Sequence, residues 1–251
     1  MVITGGSRGI GRAMALEFLK KDWRVSIAAR DPETITVAAA ALCEASGSEV
    51  CHGFACDVTR LDEVQLLWKN CSLLQPVDVW INNAGVNHPP DPFHELDPVL
   101  VEQVIRTNVL GTFWGSRVAL TGMMDQGSGM LFNMAGFGSN GRIMRGMSVY
   151  GTSKQAIYYF TRSLIREYRG TQVLVGSISP GMVVTDMLLD PIRTDPLKNL
   201  KALKVFHTLA DPADRVAPWI VGRIIRNRKR PTERPMRIVS ARNVRRESPL
   251  S

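Results

Sequence analysis

Thr4-Gly5-Gly6-Ser7-Arg8-Gly9-Ile10-Gly11 stands between a short apolar stretch, Met1 to Thr4, and a run with apolar residues at helical spacing, Gly9 to Lys21. Ile10, Met14, Leu16, Phe18 and Leu19 carry that spacing, and Trp23 to Ala29 then reads as a buried strand. The pattern is a β-α-β unit with glycines where the strand must turn sharply and the helix must begin close to a ligand. Without side chains at those points, backbone N–H groups and the positive helix end can approach a pyrophosphate. The spacing is TGxxxGxG rather than the GxGxxG of other dinucleotide folds. The first strand starts abruptly, which predicts that residues upstream of Met1 are missing.

The same rhythm continues to the end of the chain. Helices are expected at Glu33 to Ala45, Leu61 to Leu73, Val99 to Met124, Ser148 to Tyr168 and Pro212 to Ile225. Strands are expected at Val50 to Ala55, Val77 to Ile81, Met130 to Met134, Gln172 to Ile178 and Met236 to Val239. Strands alternating with long helices predict an α/β fold, a Rossmann-like doubly wound parallel sheet of about seven strands with helices on both faces, in a single domain. A chain of 251 residues with 45% hydrophobic and 22% charged residues has ample material for one large core. Cys43, Cys51, Cys56 and Cys71 show neither a CxxC pair nor zinc spacing, so they read as reduced thiols and no metal site is expected.

The net charge of +8 is concentrated at the C-terminus: between Arg223 and Arg246 ten Lys/Arg face one acidic residue, and the rest is nearly neutral. That distribution argues against a nucleic-acid-binding protein. No apolar run is long enough to span a membrane. The expected organisation is a domain over 1–222, with 187–209 as an apolar substrate lid, and a basic segment over 223–251 carrying a last strand near 236–239. The basic segment is either a solvated terminus or a peripheral contact with anionic membranes.

Tyr150-Gly151-Thr152-Ser153-Lys154 is the most specific chemical signal. At i and i+4 on a helix the two side chains share a face, so the ammonium can stabilise phenolate and lower a pKa that starts near ~10. Three further motifs follow predicted strands in register: Asp57-Val58, Asn82-Asn83-Ala84-Gly85, and Pro180-Gly181-Met182-Val183-Val184-Thr185. Ala29-Arg30 occupies the end of the second strand, where an acidic residue would bind ribose hydroxyls. Arg30 and Arg8 together suit a 2′-phosphate, although Asp31, one residue further, could face the ribose.

Taken together these motifs resemble the classical short-chain dehydrogenase/reductase family, over most of the chain from Val2 to about Val221. The resemblance implies that Thr4, Gly5, Ser7, Arg8, Gly9, Ile10 and Gly11 hold the dinucleotide, with Arg30 at its ribose and Asp57 and Val58 at its adenine. It further implies contacts from Asn83, Ala84 and Gly85, from Tyr150 and Lys154, and from Pro180, Gly181, Val183 and Thr185, with NADP(H) favoured over NAD(H). As catalytic residues it implies Tyr150 as proton donor and Lys154 as its partner. Asn108, in Arg106-Thr107-Asn108-Val109-Leu110-Gly111, is the helix-interrupting residue that anchors a water. The family's serine lies thirteen residues before the tyrosine; Phe137 stands there, and Ser139 is the nearest candidate.

Leu131-Phe132-Asn133-Met134, the turn Gly136-Phe137-Gly138-Ser139, Trp80 to Gly85 and Ser179-Pro180-Gly181-Met182-Val183 look like the chlorophyll(ide) b reductase branch. Ala135 departs from it, because the branch usually carries an acidic residue there. The branch implies reduction of the 7-formyl group of chlorophyll(ide) b, a chloroplast location peripheral to the thylakoid (cytoplasm for a bacterial source), and an oligomer with itself or related reductases. Met134, Met144 and Met147 could conform to a macrocycle. The other readings are a reductase of another hydrophobic ketone or aldehyde, and a nucleotide-binding scaffold without catalysis.

Overall fold

The computed structural model describes residues 1–185, 187, 210–228 and 239–240. Its strands are β1 (Val2–Thr4), β2 (Val25–Ala29), β3 (Cys51–Ala55), β4 (Val79–Asn82), β5 (Gly129–Met134), β6 (Val173–Ser179) and the short β7 (Val183–Val184), β8 (Asp211–Pro212) and β9 (Val239–Ser240). Its helices are α1 (Gly9–Leu19), α2 (Pro32–Ser46), α3 (Leu61–Leu74), α4 (Pro98–Val104), α5 (Gly111–Gln126), α6 (Ser148–Glu167) and α7 (Ala213–Arg228). A seven-stranded parallel sheet runs β3-β2-β1-β4-β5-β6-β9, and β7 pairs with β8 apart from it. The order reverses between β1 and β4, and such a reversal opens a crevice beyond the carboxyl ends of the strands.

Alternation along each strand sorts the core into two layers. Ile3, Ile27, Ile81, Phe132 and Ile178 face Met14 and Phe18 of α1, Ile35 and Leu42 of α2, and Val216, Ile220 and Ile224 of α7. Val2, Ala28, Trp80 and Leu131 face the opposite side, with Leu67 of α3, Ala119 and Met123 of α5 and Leu164 of α6. The paired residues Asn82 and Asn133 interrupt the apolar strands, and both are satisfied: the Asn82 amide donates to Asn133 Oδ1 (2.8 Å) and Ser116 Oγ (3.1 Å), and Asn133 donates to Thr161 Oγ1 (3.0 Å). Buried amides demand such partners, and these tie β4 and β5 to α5 and α6.

Several expected boundaries moved. The helix expected from Val99 to Met124 is three pieces: α4, a π-helical turn over Ile105–Leu110, and α5. A π turn carries one extra residue per turn and is commonest at functional positions. Trp23 lies outside β2 because the chain turns at Asp22 (φ 60°) and its ring packs edge-on against Phe18, centroids 5.2 Å apart. Helix α7 runs unbroken through position 222. Of the expected lid over 187–209 only Met187 lies within the described residues, and of 223–251 only 223–228 and 239–240 do. The four cysteines are free thiols, three of them buried. Among the described residues no helix is long and apolar enough to cross a membrane, and no group of acidic, His and Cys side chains could hold a metal.

Candidate active site

The Gly-rich turn is fixed by close backbone approach. Gly5 has φ +64°, and a Cβ there would come 2.8 Å from Ala84 Cα; a Cβ on Gly11 would run into the Gly5 carbonyl and the Asn83 amide. Thr4 locks β1 to the Asn83-Ala84 corner: its hydroxyl accepts from the N–H groups of Asn83 (3.0 Å) and Ala84 (3.1 Å), while the Asn83 amide donates to the carbonyls of Thr4 (2.9 Å) and Gly5 (3.0 Å). Gly9 (φ +58°) opens α1, and Thr185 lies 3.2 Å from where its Cβ would be, so the segment after Pro180 packs on the turn. No side chain caps α1, leaving its first N–H groups facing the crevice mouth. Ile10 anchors the helix in the core, whereas Ser7 is half-buried and Arg8 exposed on the outer lip. This uncapped, glycine-lined cradle fits the pyrophosphate of a nicotinamide dinucleotide.

Around it the expected contacts divide. Arg30 is exposed just beyond β2, as Arg8 is across the turn. The Asp31 carboxylate is taken up as the cap of α2, accepting from Thr34 N–H at 2.7 Å, and those bonds hold its pKa below the ordinary carboxylate value. Asp57 folds back on its own loop, accepting from Thr59 N–H (2.9 Å), and its neighbour Val58 is buried against Gly111 at the start of α5. Pro180 and Val183 are buried, and Gly181 takes φ +79° to turn the chain out of β6.

At the chemical end, Lys154 is 4% exposed, and its ammonium donates to the Met134 carbonyl at 3.3 Å and sits 5.6 Å from the centre of the Tyr150 ring. A Cβ on Gly85 would lie 3.2 Å from Asn108 Oδ1, 3.7 Å from Lys154 Nζ and 3.7 Å from Met187 Cε, so these four residues converge. Asn108 sits in the π turn. Its amide accepts from Val86 N–H (2.8 Å) and donates to the Val86 carbonyl (3.0 Å) and to Ser153 Oγ (3.0 Å). Ser153 passes this on to the Tyr150 carbonyl (2.7 Å).

The acid-base balance differs from the sequence expectation. Burial pushes the Tyr150 phenol up to about 12 and the Lys154 ammonium down to about 8. Desolvation drives both shifts, and among the described residues no hydrogen bond between the ammonium and the phenol offsets it. Ser139 is buried, but among the described residues no hydrogen bond joins it to Tyr150 or Lys154; its N–H donates to Gly136 (3.1 Å), and the Gln155 amide can bind the carbonyls of Gly138 and Ser139. In the same loop Gly136 stands against the phenol: a Cβ there would come 2.9 Å from Tyr150 Oη. Sequence reading passed over Gly136, Ser153 and His88. Ser153 lies one helical turn after Tyr150, a signal that helical spacing carries; its bond to Asn108, 45 residues away, has no such periodic signal, and neither do Gly136 and His88.

Residues 1–194 match the short chain dehydrogenase family model, and the chain belongs to that family of oxidoreductases. Among its relatives is the chlorophyll(ide) b reductase NOL of Arabidopsis thaliana, 37% identical over 89% of this chain and 64% of that protein. The chain thus spans less than two thirds of that relative's length. Carbonyl reductase family member 4 of Xenopus laevis is 31% identical over 89% of this chain and 93% of its own. Among solved structures, a single-residue variant of actinorhodin polyketide ketoreductase with NADPH superposes with a TM-score of 0.78 at 27% identity, covering 88% of each chain. Levodione reductase shares the fold, with a TM-score of 0.85 at 24% identity over 97% of this chain and 96% of that one.

Proposed function

We propose that the chain is an NADPH-dependent carbonyl reductase that converts the 7-formyl group of chlorophyll(ide) b to a hydroxymethyl group. The observation that carries this reading is the Tyr150 ring beside a buried lysine, at the mouth bounded by Gly85, Asn108 and Gly136, in a chain 37% identical to a chlorophyll(ide) b reductase. When bound, NADPH supplies the hydride to the carbonyl carbon. Tyr150 gives its proton to the oxygen that gains charge, and a phenol is acid enough for this even when burial raises its pKa, because an alkoxide is a far stronger base than phenolate. Lys154 keeps positive charge behind the ring, and Asn108 holds the wall opposite through Val86 and Ser153. Gly136 leaves open the space in front of the phenol oxygen that a carbonyl must enter.

The preference for NADPH rests on Arg8 and Arg30, both exposed, and on Asp31 being engaged elsewhere. The reading includes a chloroplast location, supported by the relatives' chloroplastic names, and an oligomer through α5 and α6, supported by Met124 and Tyr159, 46% and 75% exposed. It also includes contact of the basic C-terminal stretch with anionic membranes. Incubation of the purified chain with NADPH and chlorophyllide b, followed by absorbance and mass, tests it: the expected product is the 7-hydroxymethyl pigment. A second reading, reduction of an acyl-chain ketone, is favoured by 31% identity to the human 3-oxoacyl-[acyl-carrier-protein] reductase. Turnover of 3-oxoacyl thioesters without turnover of the pigment would select it.

A further inference from the structure

His88 stands in the loop between β4 and α4, is 1% exposed, and has both ring nitrogens engaged. Nδ1 lies 2.7 Å from the Pro89 carbonyl, which only accepts, so Nδ1 carries the proton. Nε2 lies 3.1 Å from the backbone N–H of Tyr150, which only donates, so Nε2 is bare. The two partners therefore select one neutral tautomer of the ring.

The bond to Tyr150 fills a gap that the sequence of α6 leaves open. The first intrahelical bond of α6 runs from Gly151 N–H to Met147 O, so the N–H of Tyr150 has no carbonyl of its own helix to reach. Met147 at the helix start supplies no side-chain cap. An uncapped first turn frays, and here that turn carries the phenol. His88 Nε2 provides the missing acceptor from another part of the chain. The loop bearing it is held independently: Val86 is gripped by both atoms of the Asn108 amide, Pro89 and Pro90 restrict φ, and the Pro90 carbonyl packs against Gly146 (φ +78°). Both peptide groups of Tyr150 are thus addressed by side chains, the N–H by His88 and the carbonyl by Ser153.

We propose that His88 is a positioning residue for Tyr150, an imidazole cap supplied from a distant loop to the first turn of α6 that sets where the phenol stands relative to Lys154 and the crevice. The inference rests on the proton-donor role given to Tyr150 above. It requires the acceptor atom and not merely the volume of the ring, so Gln, whose amide oxygen reaches as far as Nε2, is a functional substitute and Leu is not.

The test compares wild type, His88→Leu and His88→Gln as full chains, with NADPH and chlorophyllide b or 4-nitrobenzaldehyde as the carbonyl. His88→Leu should lower kcat about 10- to 100-fold, the range that small misplacement of a reacting group produces, while NADPH affinity by fluorescence stays within about twofold. His88→Gln should return kcat to within about threefold of wild type. Amide hydrogen exchange over residues 147–153 gives a second readout: Tyr150 N–H should be protected in wild type and His88→Gln and fast in His88→Leu. Equal kcat in wild type and His88→Leu overturns the inference, and so does equal loss in the Leu and Gln variants. If wild type reduces neither carbonyl, the proposed activity fails on its own, and exchange then decides for His88: no difference at Tyr150 between wild type and His88→Leu sinks it. Should His88→Leu fail to fold, the same two readouts on His88→Gln and His88→Asn decide, because Asn places its oxygen at the reach of Nδ1 and should lose both rate and protection.

Discussion

At the dinucleotide end of the crevice Gly5, Gly9 and Gly11 act by what they lack, whereas at the carbonyl end Tyr150, Lys154, Asn108 and Ser153 act through side chains whose positions depend on one another. The first construction is a backbone surface: three positions where a Cβ would be strained or would strike Ala84, Thr185 or the Gly5 carbonyl. The second is a chain of polar bonds running from Val86 through Asn108 and Ser153 to Tyr150. A backbone surface should fail as binding, and a bonded chain should fail as rate. That separation is the property the following experiments can break.

The largest effect is expected at Tyr150. Removing the hydroxyl in Tyr150→Phe should lower carbonyl-dependent NADPH oxidation by about 10²- to 10⁴-fold, the usual worth of a positioned general acid, with NADPH affinity by fluorescence changed less than about threefold. A comparable loss of affinity would merge the two ends into one unit. Next in size is Gly11→Ala, which forces a methyl toward the Gly5 carbonyl and the Asn83 amide. It should weaken NADPH binding by about tenfold or more and destabilise the fold by about 1–3 kcal/mol, read by fluorescence titration and urea unfolding. Normal affinity in a folded Gly11→Ala protein would mean that the turn tolerates a side chain and is no cradle.

The same contrast explains what the sequence disclosed. Glycines enforced by backbone geometry are visible as letters, so the turn at Thr4 to Gly11 and the β-α-β units around it were legible, as was the i, i+4 pairing of Tyr150 with Lys154. Partner choice across the fold was not. Asp57 reads as a contact of the adenine and Asp31 as a residue that could face the ribose; the hydrogen bonds that each accepts within its own loop, from Thr59 and from Thr34, are not legible in the sequence. The family's serine position falls on Phe137, so Ser139 is nominated as the nearest hydroxyl; that Gly136 also stands against the phenol, while Gly138 approaches Gly151, has no pattern in the sequence to announce it. The direction of the Tyr150 and Lys154 shifts was also hidden: it depends on burial, which a motif does not encode.

Arg30 tests the outer edge of the backbone surface, where charge takes over from shape. With Asp31 held by Thr34, Arg30→Ala should move the ratio of KM for NADPH to KM for NADH toward NADH by about tenfold, the cost of one charge-assisted contact of about 1.5 kcal/mol. An unchanged ratio assigns the 2′-phosphate preference to Arg8 or removes it.

The smallest effect concerns stability at the carbonyl end. Lys154 titrates at 10.5 in an unfolded chain and at about 8 when buried beneath Tyr150. Below pH 8 both states hold the proton, and the cost of burying the ammonium is present in full. Between about 8 and 10.5 the unfolded chain holds more protons than the folded one, so this contribution makes the protein more stable as pH rises. Tyr150 acts in the opposite sense from 10 to about 12, where the folded chain keeps a proton that the unfolded chain has lost. Lys154→Met should therefore be more stable than wild type by about 1–3 kcal/mol at pH 7, with most of the gap gone by pH 10, measured as urea midpoints without dinucleotide. A gap that stays constant with pH would mean that folding leaves the pKa of the lysine unshifted, and the desolvation cost assigned to its burial behind the Tyr150 ring would have to be withdrawn.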